Sequence, residues 1–330
     1  MIRFILKRLL FFIPVLLGVL LIVFTINHFS PADPVYSVLG INITPEQYAI
    51  EKEKMGLEKP FLVQYAEYVG QVVTKLDLGV SYVNKRPVID QILERCPATL
   101  KLGAISILIT IVFGIPFGII SAIRQYSAVD YTVTVGALFF ASMPNFWLGL
   151  MLVIIFALKL GWFPATGIAT WENWVLPCLA LGLAPISTVA RMTRSSMLEV
   201  VRQDYIRTAH SKGLTESRVI WKHALKNALI PVITVIGFMA SMILAGSVVI
   251  EAIFGIPGLG MLMMTAISSV DYPLIMGTVL FISVSVCLIN LVIDVIYGFV
   301  DPRIKAQYYT NNRRDYKALL MRMKGEKAGV

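Results

Sequence analysis

Long apolar runs follow one another along the chain, separated by shorter polar stretches. A helix needs roughly 20 residues to cross a hydrocarbon core of about 30 Å, and each run is near or above that length. The fourth run is the shortest, and Pro177 and Pro185 within it predict a bent helix. The pattern predicts six membrane-spanning helices, at Leu9–Phe29, Leu102–Ile123, Tyr131–Leu158, Val175–Ala190, Leu229–Ala252 and Leu274–Val300.

The first apolar run is also similar to a signal peptide, because Arg3, Lys7 and Arg8 precede it. A secretory apolar core is roughly 7 to 15 residues long and is followed by a small-residue cleavage site. This run is longer and no A-x-A sequence follows it, so we expect a retained membrane anchor.

The composition excludes a soluble protein, since 57% of the residues are hydrophobic and only 15% are charged. A net charge of +9 is compatible with nucleic-acid binding, but no RNP or zinc-ligand pattern accompanies it. Cys96, Cys178 and Cys287 are scattered and form no disulfide or metal motif. We therefore expect a multi-pass membrane protein that binds neither nucleic acid nor a metal.

The distribution of basic residues predicts the topology. Of the 29 Lys and Arg residues, 20 lie in residues 1–8, 124, 191–226 and 303–327. Between these segments, residues 30–97 hold seven Lys and Arg against nine acidic residues, and the loops at 161–174 and 255–273 hold no Lys or Arg. Because basic residues concentrate in cytoplasmic loops, both termini are expected in the cytoplasm and the protein in the cell membrane. The basic tail, residues 301–330, is expected to bind anionic lipid.

Residues 31–97 are too polar for a span and are predicted to form a small extracytoplasmic helical lobe. Thr44 is a candidate N-cap, followed by Pro45 and Glu46, and Gly56 can end that helix. A second helical repeat is formed by apolar residues at Leu62, Tyr65, Val69 and Val72. The lobe could be a packing collar or a docking surface. The remaining divisions are residues 1–30, the first helix, and residues 98–300, the transmembrane domain.

Gly114 and Gly118 form a GxxxG sequence in the second span. Small residues at this spacing let two membrane helices approach closely. Chance spacing in a glycine-rich span is the alternative.

The basic stretch Arg191–Asn227 contains the strongest functional pattern. We predict a helix at Ser195–Lys212 with an apolar stripe of Leu198, Val201, Tyr205 and Ala209. Gly213 is a left-handed C-cap candidate, Thr215 is the next N-cap and Glu216 lies in the first turn of a second helix, which lasts until Pro231 begins the next span. Lipid binding would account for the charge of the stretch. Two short capped helices around a glycine instead favour binding in a groove of a partner protein, because a short exposed helix has only marginal stability by itself.

This loop, residues 191–228, resembles the EAA loop of permease subunits of ABC importers, in the form found in the dipeptide, oligopeptide and nickel permease family. In the general pattern, Glu-Ala-Ala precedes a glycine that is followed nine residues later by Ile-x-Leu-Pro. Here Arg207, Thr208 and Ala209 occupy the first three positions, His223 stands in place of Ile, Leu225 matches Leu, and Lys226 replaces Pro. The resemblance implies that the loop couples to an ATPase through Asp204, Tyr205, Arg207, Thr208, Ala209, Lys212, Gly213, His223 and Leu225.

Shorter stretches from Leu57 to Arg303 resemble the same family. They are Leu76–Ser81, Arg86–Val88, Ala98–Leu100, Met143–Gly149, Glu251–Gly260, Asp271–Pro273 and Tyr297–Arg303. The resemblance implies a type I ABC importer permease fold, and as partners a second homologous permease, two ATPase subunits and an extracytoplasmic solute-binding protein. The chain has no Gly-Lys dipeptide and hence no phosphate-binding loop of the G-x-x-x-x-G-K type, so ATP and Mg are expected on the partner subunits.

Three further residues are candidates for a path or a gate. Asp294 is an acid inside the last span, where ionisable groups face the bundle interior or pair with another group. Glu251 and Gly258 lie at the end of the fifth span, beside a glycine-rich turn that could be a flexible gate or a re-entrant turn. A structural hydrogen bond near the cytoplasmic end is the alternative for Asp294.

Two other function classes compete with an importer subunit of peptides. A secondary transporter or channel would act without ATPase partners, but it favours intramembrane charge pairs or inverted repeats, which the sequence does not display. A membrane enzyme would need a catalytic constellation, whereas His28, His210 and His223 are isolated and no catalytic residue is predicted.

Overall fold

A computed structural model of the chain describes residues 2–300 and shows an all-helical architecture, in which the one β-bridge joins Val80 and Pro87. The basic tail predicted at residues 301–330 lies outside the described residues. The helices are α1 Ile2–His28, α2 Pro34–Leu39, α3 Pro45–Lys54, α4 Phe61–Lys75, α5 Val88–Ile123, α6 Ala128–Ala141, α7 Asn145–Leu152, α8 Glu172–Val201, α9 Asp204–Ser211, α10 Glu216–Arg218, α11 Leu225–Phe254, α12 Leu259–Ser268 and α13 Tyr272–Val300. Helix α7 continues as a π-helical segment, Val153–Lys159, and α10 is joined to α11 by another, Val219–Ala224.

Five helices are long and apolar enough to cross a membrane, and counting two sharply bent pairs raises the number to as many as 7. One bent pair is Ala128–Ala141 with Asn145–Lys159, at 104°, and the other is Ser247–Phe254 with Leu259–Ser268, at 85°. The predicted six spans lie within this range. The third span predicted at Tyr131–Leu158 is broken into two helices, because Pro144 lacks a backbone N–H and disfavours helix in the residue before it.

Two predicted boundaries are also wrong. Helix α5 begins at Val88 and not at Leu102, so it crosses the predicted limit of the lobe at residue 97 and carries Pro97 inside it. The short fourth span is in fact a 30-residue helix that continues past Ala190 to Val201. Both errors arise because polar residues at the ends of these helices ended the apolar runs without ending the helices.

The loop helix predicted at Ser195–Lys212 is divided into two. Helix α8 ends at Val201, Gln203 is extended, and α9 begins at Asp204, whose negative charge suits a helix N-terminus. The predicted stripe is corrected accordingly, since Val201 and Tyr205 are 41% and 42% exposed. Pro231, predicted to begin the fifth span, lies inside α11.

Helices α5 and α8 form the most extensive helix pair, and their approach depends on the predicted GxxxG glycines. A Cβ atom added at Gly114 would lie 2.9 Å from Cβ of Val189. A Cβ at Gly118 would overlap the side chain of Thr193 and the carbonyl of Ala190. The prediction of close helix packing is confirmed, and the partner helix is α8.

The lobe helices confirm the predicted signals. Thr44 and Gln47 form a reciprocal capping box at the start of α3, and Gly56 follows its end at φ +71. Helix α4 packs on α1 through Tyr65, whose hydroxyl donates to the carbonyl of Leu17 at 2.9 Å.

A buried carboxylate fastens the lobe segment to the start of α13. Asp271 is 1% exposed and accepts hydrogen bonds from the hydroxyl of Ser81 and, at 3.1 Å, from the backbone N–H of Tyr82. Leu78 and Val88 join the same apolar cluster as Leu274 and Ile275. Two of the stretches that resemble the family thus meet in space.

We expect Gly118→Ala to destabilise the protein by about 1 to 3 kcal/mol, because the added methyl group overpacks the α5–α8 contact. The melting temperature of the purified protein in detergent would measure this. Gly136→Ala in α6 is the matched control, since nothing lies within 4 Å of a Cβ there. Equal melting temperatures for the two variants would contradict the packing argument.

Candidate functional site

Helix α9 is held at one end of the bundle by its apolar side chains. Ile206 and Ala209 are 1% and 6% exposed. They belong to an apolar cluster to which α5, α8 and α11 also contribute side chains. The other buried members of this cluster are Ile119, Ala122, Met197, Val219, Ile220, Ala224 and Ala228. The loop is therefore packed against the three longest helices that end or begin beside it.

Gly213 ends α9 in a Schellman motif. Its backbone has φ +72, its N–H donates to the carbonyl of His210 at 2.8 Å, and the N–H of Leu214 donates to the carbonyl of Ala209 at 3.4 Å. The predicted left-handed glycine is confirmed. Thr215 has the extended backbone of an N-cap, but its side chain makes no capping hydrogen bond.

The predicted coupling residues separate into an exposed face and a buried anchor. Ala209 is buried, and His223 and Leu225 are half-buried. The side chain of Tyr205 is positioned by Asn227, whose Nδ2 donates to the phenol oxygen at 2.8 Å. The exposed members are Asp204, Tyr205, Arg207, Thr208, Lys212 and Gly213.

Trp221 was not singled out from the sequence. It lies in the π-helical segment after α10 and is 59% exposed, whereas its neighbour Ile220 is 7% exposed and packs beneath α9. A large exposed aromatic ring beside a polar helical face is typical of an interface anchor. The available signal was one tryptophan inside a strongly basic stretch.

Glu251 lies at the bent junction between α11 and α12 and is 0% exposed. Its carboxyl group accepts hydrogen bonds from the hydroxyl of Thr99 at 2.7 Å and from the N–H groups of Gly260 and Met261 at 2.7 and 3.1 Å. A Cβ at Gly258 would lie 2.5 Å from Cδ of Glu251. The two predicted gate residues therefore touch, and the carboxyl group satisfies the first turn of α12.

Asp294 forms an ion pair with Arg8, with 3.1 Å between Nη1 and Oδ2. The pair joins α13 to α1, and the two side chains are 28% and 45% exposed. Asp294 and Glu251 are not brought together by the fold, so the three predicted path residues belong to two separate places.

A second ion pair, which the sequence analysis missed, lies close to α9. Nε and Nη2 of Arg194 each donate to one carboxylate oxygen of Asp130 at 2.7 Å. The hydroxyl of Ser121 and the backbone N–H of Tyr126 donate to the same carboxylate, the latter at 3.0 Å. Asp130 is 3% exposed, so α5, α6 and α8 meet at one buried charge.

An open cavity of about 400 Å³ lies where α6, α7, α8 and α11 meet. Ala141 and Asn145 line it from the two sides of the bend in the third span. Pro185 and Thr188 line it from the proline-containing part of α8. Met239 and Met242 complete it from α11. Polar groups are thus present on a largely apolar concave surface that is open to the outside of the chain.

Known proteins match most of the chain. Residues 114–306 match the family described as binding-protein-dependent transport system inner membrane component, and residues 1–103 match the N-terminal family of the same membrane components. The chain belongs to this family of transport permeases. The permease assignment also agrees with the number of apolar helices, and the protein is a multi-pass membrane protein.

Two curated permeases are similar over almost their full length. The dipeptide transport system permease protein of Alkalihalophilus pseudofirmus is 41% identical over 333 residues, covering 92% of this chain and 100% of the relative. The oligopeptide transport system permease protein of Bacillus subtilis is 40% identical over 316 residues, with the same coverage of 92% and 100%.

The fold is shared with a solved ABC importer. A chain of the inward-facing MetNI methionine ABC transporter superposes with a TM-score of 0.57 at 18% sequence identity, covering 64% of this permease and 97% of that chain. The predicted type I importer permease fold is confirmed. The predicted extracytoplasmic position of the lobe stays a prediction.

We expect Glu251→Met to lower the melting temperature of the permease, because it leaves the Thr99 hydroxyl and two backbone N–H groups without an acceptor. Each unsatisfied buried donor costs about 1 to 3 kcal/mol. Thr99→Val should act in the same direction, since its hydroxyl also accepts from the N–H of Leu259 at 2.8 Å. Altered transport with an unchanged melting temperature would favour a gate over this structural role.

Proposed function

We propose that this permease is one of two membrane-spanning subunits of an ATP-driven importer of peptides. An extracytoplasmic binding protein delivers the peptide, and two separate subunits hydrolyse ATP. The names of the dipeptide and oligopeptide permeases that cover this chain support the cargo class. The absence of a Gly-Lys dipeptide supports ATP and Mg sites on the partners only.

The observation on which the proposal mainly rests is the construction of α9. Its buried side, Ile206 and Ala209, fixes the helix to α5, α8 and α11, while its other side presents polar groups to a partner. A short helix in such a position fits a groove on another protein. We place the ATPase docking surface on the exposed residues Asp204, Tyr205, Arg207, Thr208, Lys212 and Gly213 together with Trp221.

The proposed orientation places α9 and both termini in the cytoplasm. Arg8, near the start of α1, pairs with Asp294, near the end of α13, so both of these helix ends lie on one side of the bundle. That shared side and the concentration of basic residues around α9 support the assignment. The lobe, residues 31–97, is then extracytoplasmic.

The proposed peptide path uses the cavity between α6, α7, α8 and α11, closed by the second permease. Asn145 and Thr188 offer amide and hydroxyl groups, which suit a peptide backbone, and Met239 and Met242 offer adaptable apolar surface for varied side chains. Such a surface favours acceptance of many peptides over recognition of one.

Reconstitution tests the proposal. The assembled complex in liposomes should take up a radiolabelled dipeptide only with ATP and binding protein, and Trp221→Ala should reduce copurification of the ATPase subunits. Trp171→Ala is the matched control, since Trp171 is 71% exposed at the opposite end of α8. Uptake by the permease alone, without ATP, would identify a secondary transporter or channel and contradict the proposal.

Replacing Gly213 by valine should uncouple hydrolysis from uptake. No atom lies within 4 Å of a Cβ at Gly213, so the penalty is the left-handed backbone alone, about 1 to 2 kcal/mol. Such a penalty corresponds to a 5- to 30-fold loss of the docked loop geometry, and we expect uptake per ATP hydrolysed to fall by about that factor.

The matched control for this variant is Gly56→Val. Gly56 has φ +71, equally open surroundings and the same pair of Schellman hydrogen bonds, from its own N–H to the carbonyl of Glu53 at 2.8 Å and from the N–H of Leu57 to the carbonyl of Lys52 at 3.1 Å, but it lies in the predicted lobe. Normal uptake per ATP by Gly213→Val would show that the shape of the α9 loop does not matter for coupling.

A further inference from the structure

The Asp130–Arg194 ion pair fixes the relative position of three helices. Both carboxylate oxygens of Asp130 accept from the guanidinium of Arg194, which sets orientation as well as distance. The side chain of Asp130 is 4% exposed and that of Arg194 is 27% exposed, so water competes little for the carboxylate. A shift between α6 and α8 at this point would have to break both hydrogen bonds together.

Asp130 also holds the turn between α5 and α6. The N–H of Tyr126, a non-glycine residue at φ +64, donates to the carboxylate at 3.0 Å, and so does the hydroxyl of Ser121 at the end of α5. Left-handed backbone is unfavourable for a tyrosine unless its surroundings determine it. The same carboxylate therefore fixes α5, the turn, α6 and α8.

Toward the loop, Arg194 lies about two helical turns before the end of α8, which is followed directly by the bend at Arg202–Gln203 and by α9. An open cleft of about 450 Å³ is lined by Arg194, Arg202 and Gln203, among other residues at this end of α8. A displacement of α9 would therefore reach the ion pair through the bend and the last two turns of α8.

Toward the path, Asp130 lies in the first turn of α6, and α6 leads without interruption to Ala141. The chain then bends by 104° into α7, and the bend lines the cavity through Ala141 and Asn145. One buried ion pair therefore stands between the candidate docking helix and the bent span that borders the candidate path.

We infer that Asp130 and Arg194 are positioning residues which lock α6 to α8, so that a displacement of α9 moves the α6–α7 bend with it. The inference rests on the proposed function, because α9 must receive a force from an ATPase. Within residues 2–300, an ion pair between Arg8 and Asp294 also joins two spans, α1 and α13.

The test measures uptake of a labelled dipeptide per ATP hydrolysed by the complete importer in liposomes, with binding protein present. Asp130→Asn and Arg194→Gln should each lower this ratio about tenfold while the complex still assembles and hydrolyses ATP. The double variant should be no lower than either single variant, because the two residues act through one contact. Arg194→Lys, which keeps the charge but loses the two-pronged geometry, should give an intermediate ratio.

A purely structural role would lower the amount of complex, its hydrolysis and its uptake together and leave the ratio unchanged, which would overturn the inference. If Asp130→Asn does not assemble, Arg194→Lys and Ser121→Ala decide in the same way, since each weakens the lock without removing the carboxylate. The controls are Arg86→Gln and Glu94→Gln, which break an exposed ion pair at the start of α5. Both should leave uptake per ATP hydrolysed unchanged.

Uptake by the native complex distinguishes failure of the inferred lock from failure of the proposed function. ATP-dependent uptake by the native complex together with normal ratios in the Asp130 and Arg194 variants would overturn the lock alone. Absence of ATP-dependent uptake in the native complex would overturn the proposed function and the lock with it.

Discussion

The helix junctions of this permease depend on buried carboxylates that satisfy backbone N–H groups where water cannot. Among the described residues three carboxylate side chains are buried: Asp130, Glu251 and Asp271. Each accepts a backbone N–H at a turn or at the first turn of a helix, and each also accepts a hydroxyl group. In hydrocarbon an interrupted helix is tolerated only when protein groups satisfy the freed backbone. The carboxylates therefore stabilise the turn between α5 and α6, the bend between α11 and α12, and the contact of the Ser81–Tyr82 turn with the start of α13.

Two other breaks in the helices give the candidate functional surfaces their positions. The break before Pro144 opens the cavity between α6, α7, α8 and α11, and the bend after Val201 turns α9 across the end of the bundle. The buried side of α9 then fixes the position of this helix, because it packs against α5, α8 and α11. The candidate docking surface and the candidate path surface are consequently attached to the same helices, and the proposed energy transfer between them requires such a connection.

Structural features that depend only on residues close together in the sequence could be predicted from local sequence patterns. The capping box at Thr44, the left-handed Gly213 and the last span at α13 were predictable because the chemistry of each lies within a few residues. The break at Gln203 and the two π-helical segments were not, because no glycine or proline marks them. Asp130 and Arg194 are separated by 64 residues, so only the fold shows that they pair. The Gly114 and Gly118 pattern predicted a close contact but not its partner, α8.

Helix α5 is much longer than a bilayer core is thick. Its 36 residues extend over about 54 Å at 1.5 Å per residue, whereas the hydrocarbon layer takes up only about 30 Å. The helix is therefore about 24 Å longer than the hydrocarbon layer is thick, and its start, Val88–Pro97, belongs to the segment that is predicted as the lobe. Pro97 and Pro116 lie inside the helix and each removes one backbone hydrogen bond, so a kink in α5 is expected at these two positions. If both stay straight, a rotation of about 5° at the Ser121 end displaces the Val88 end sideways by about 5 Å.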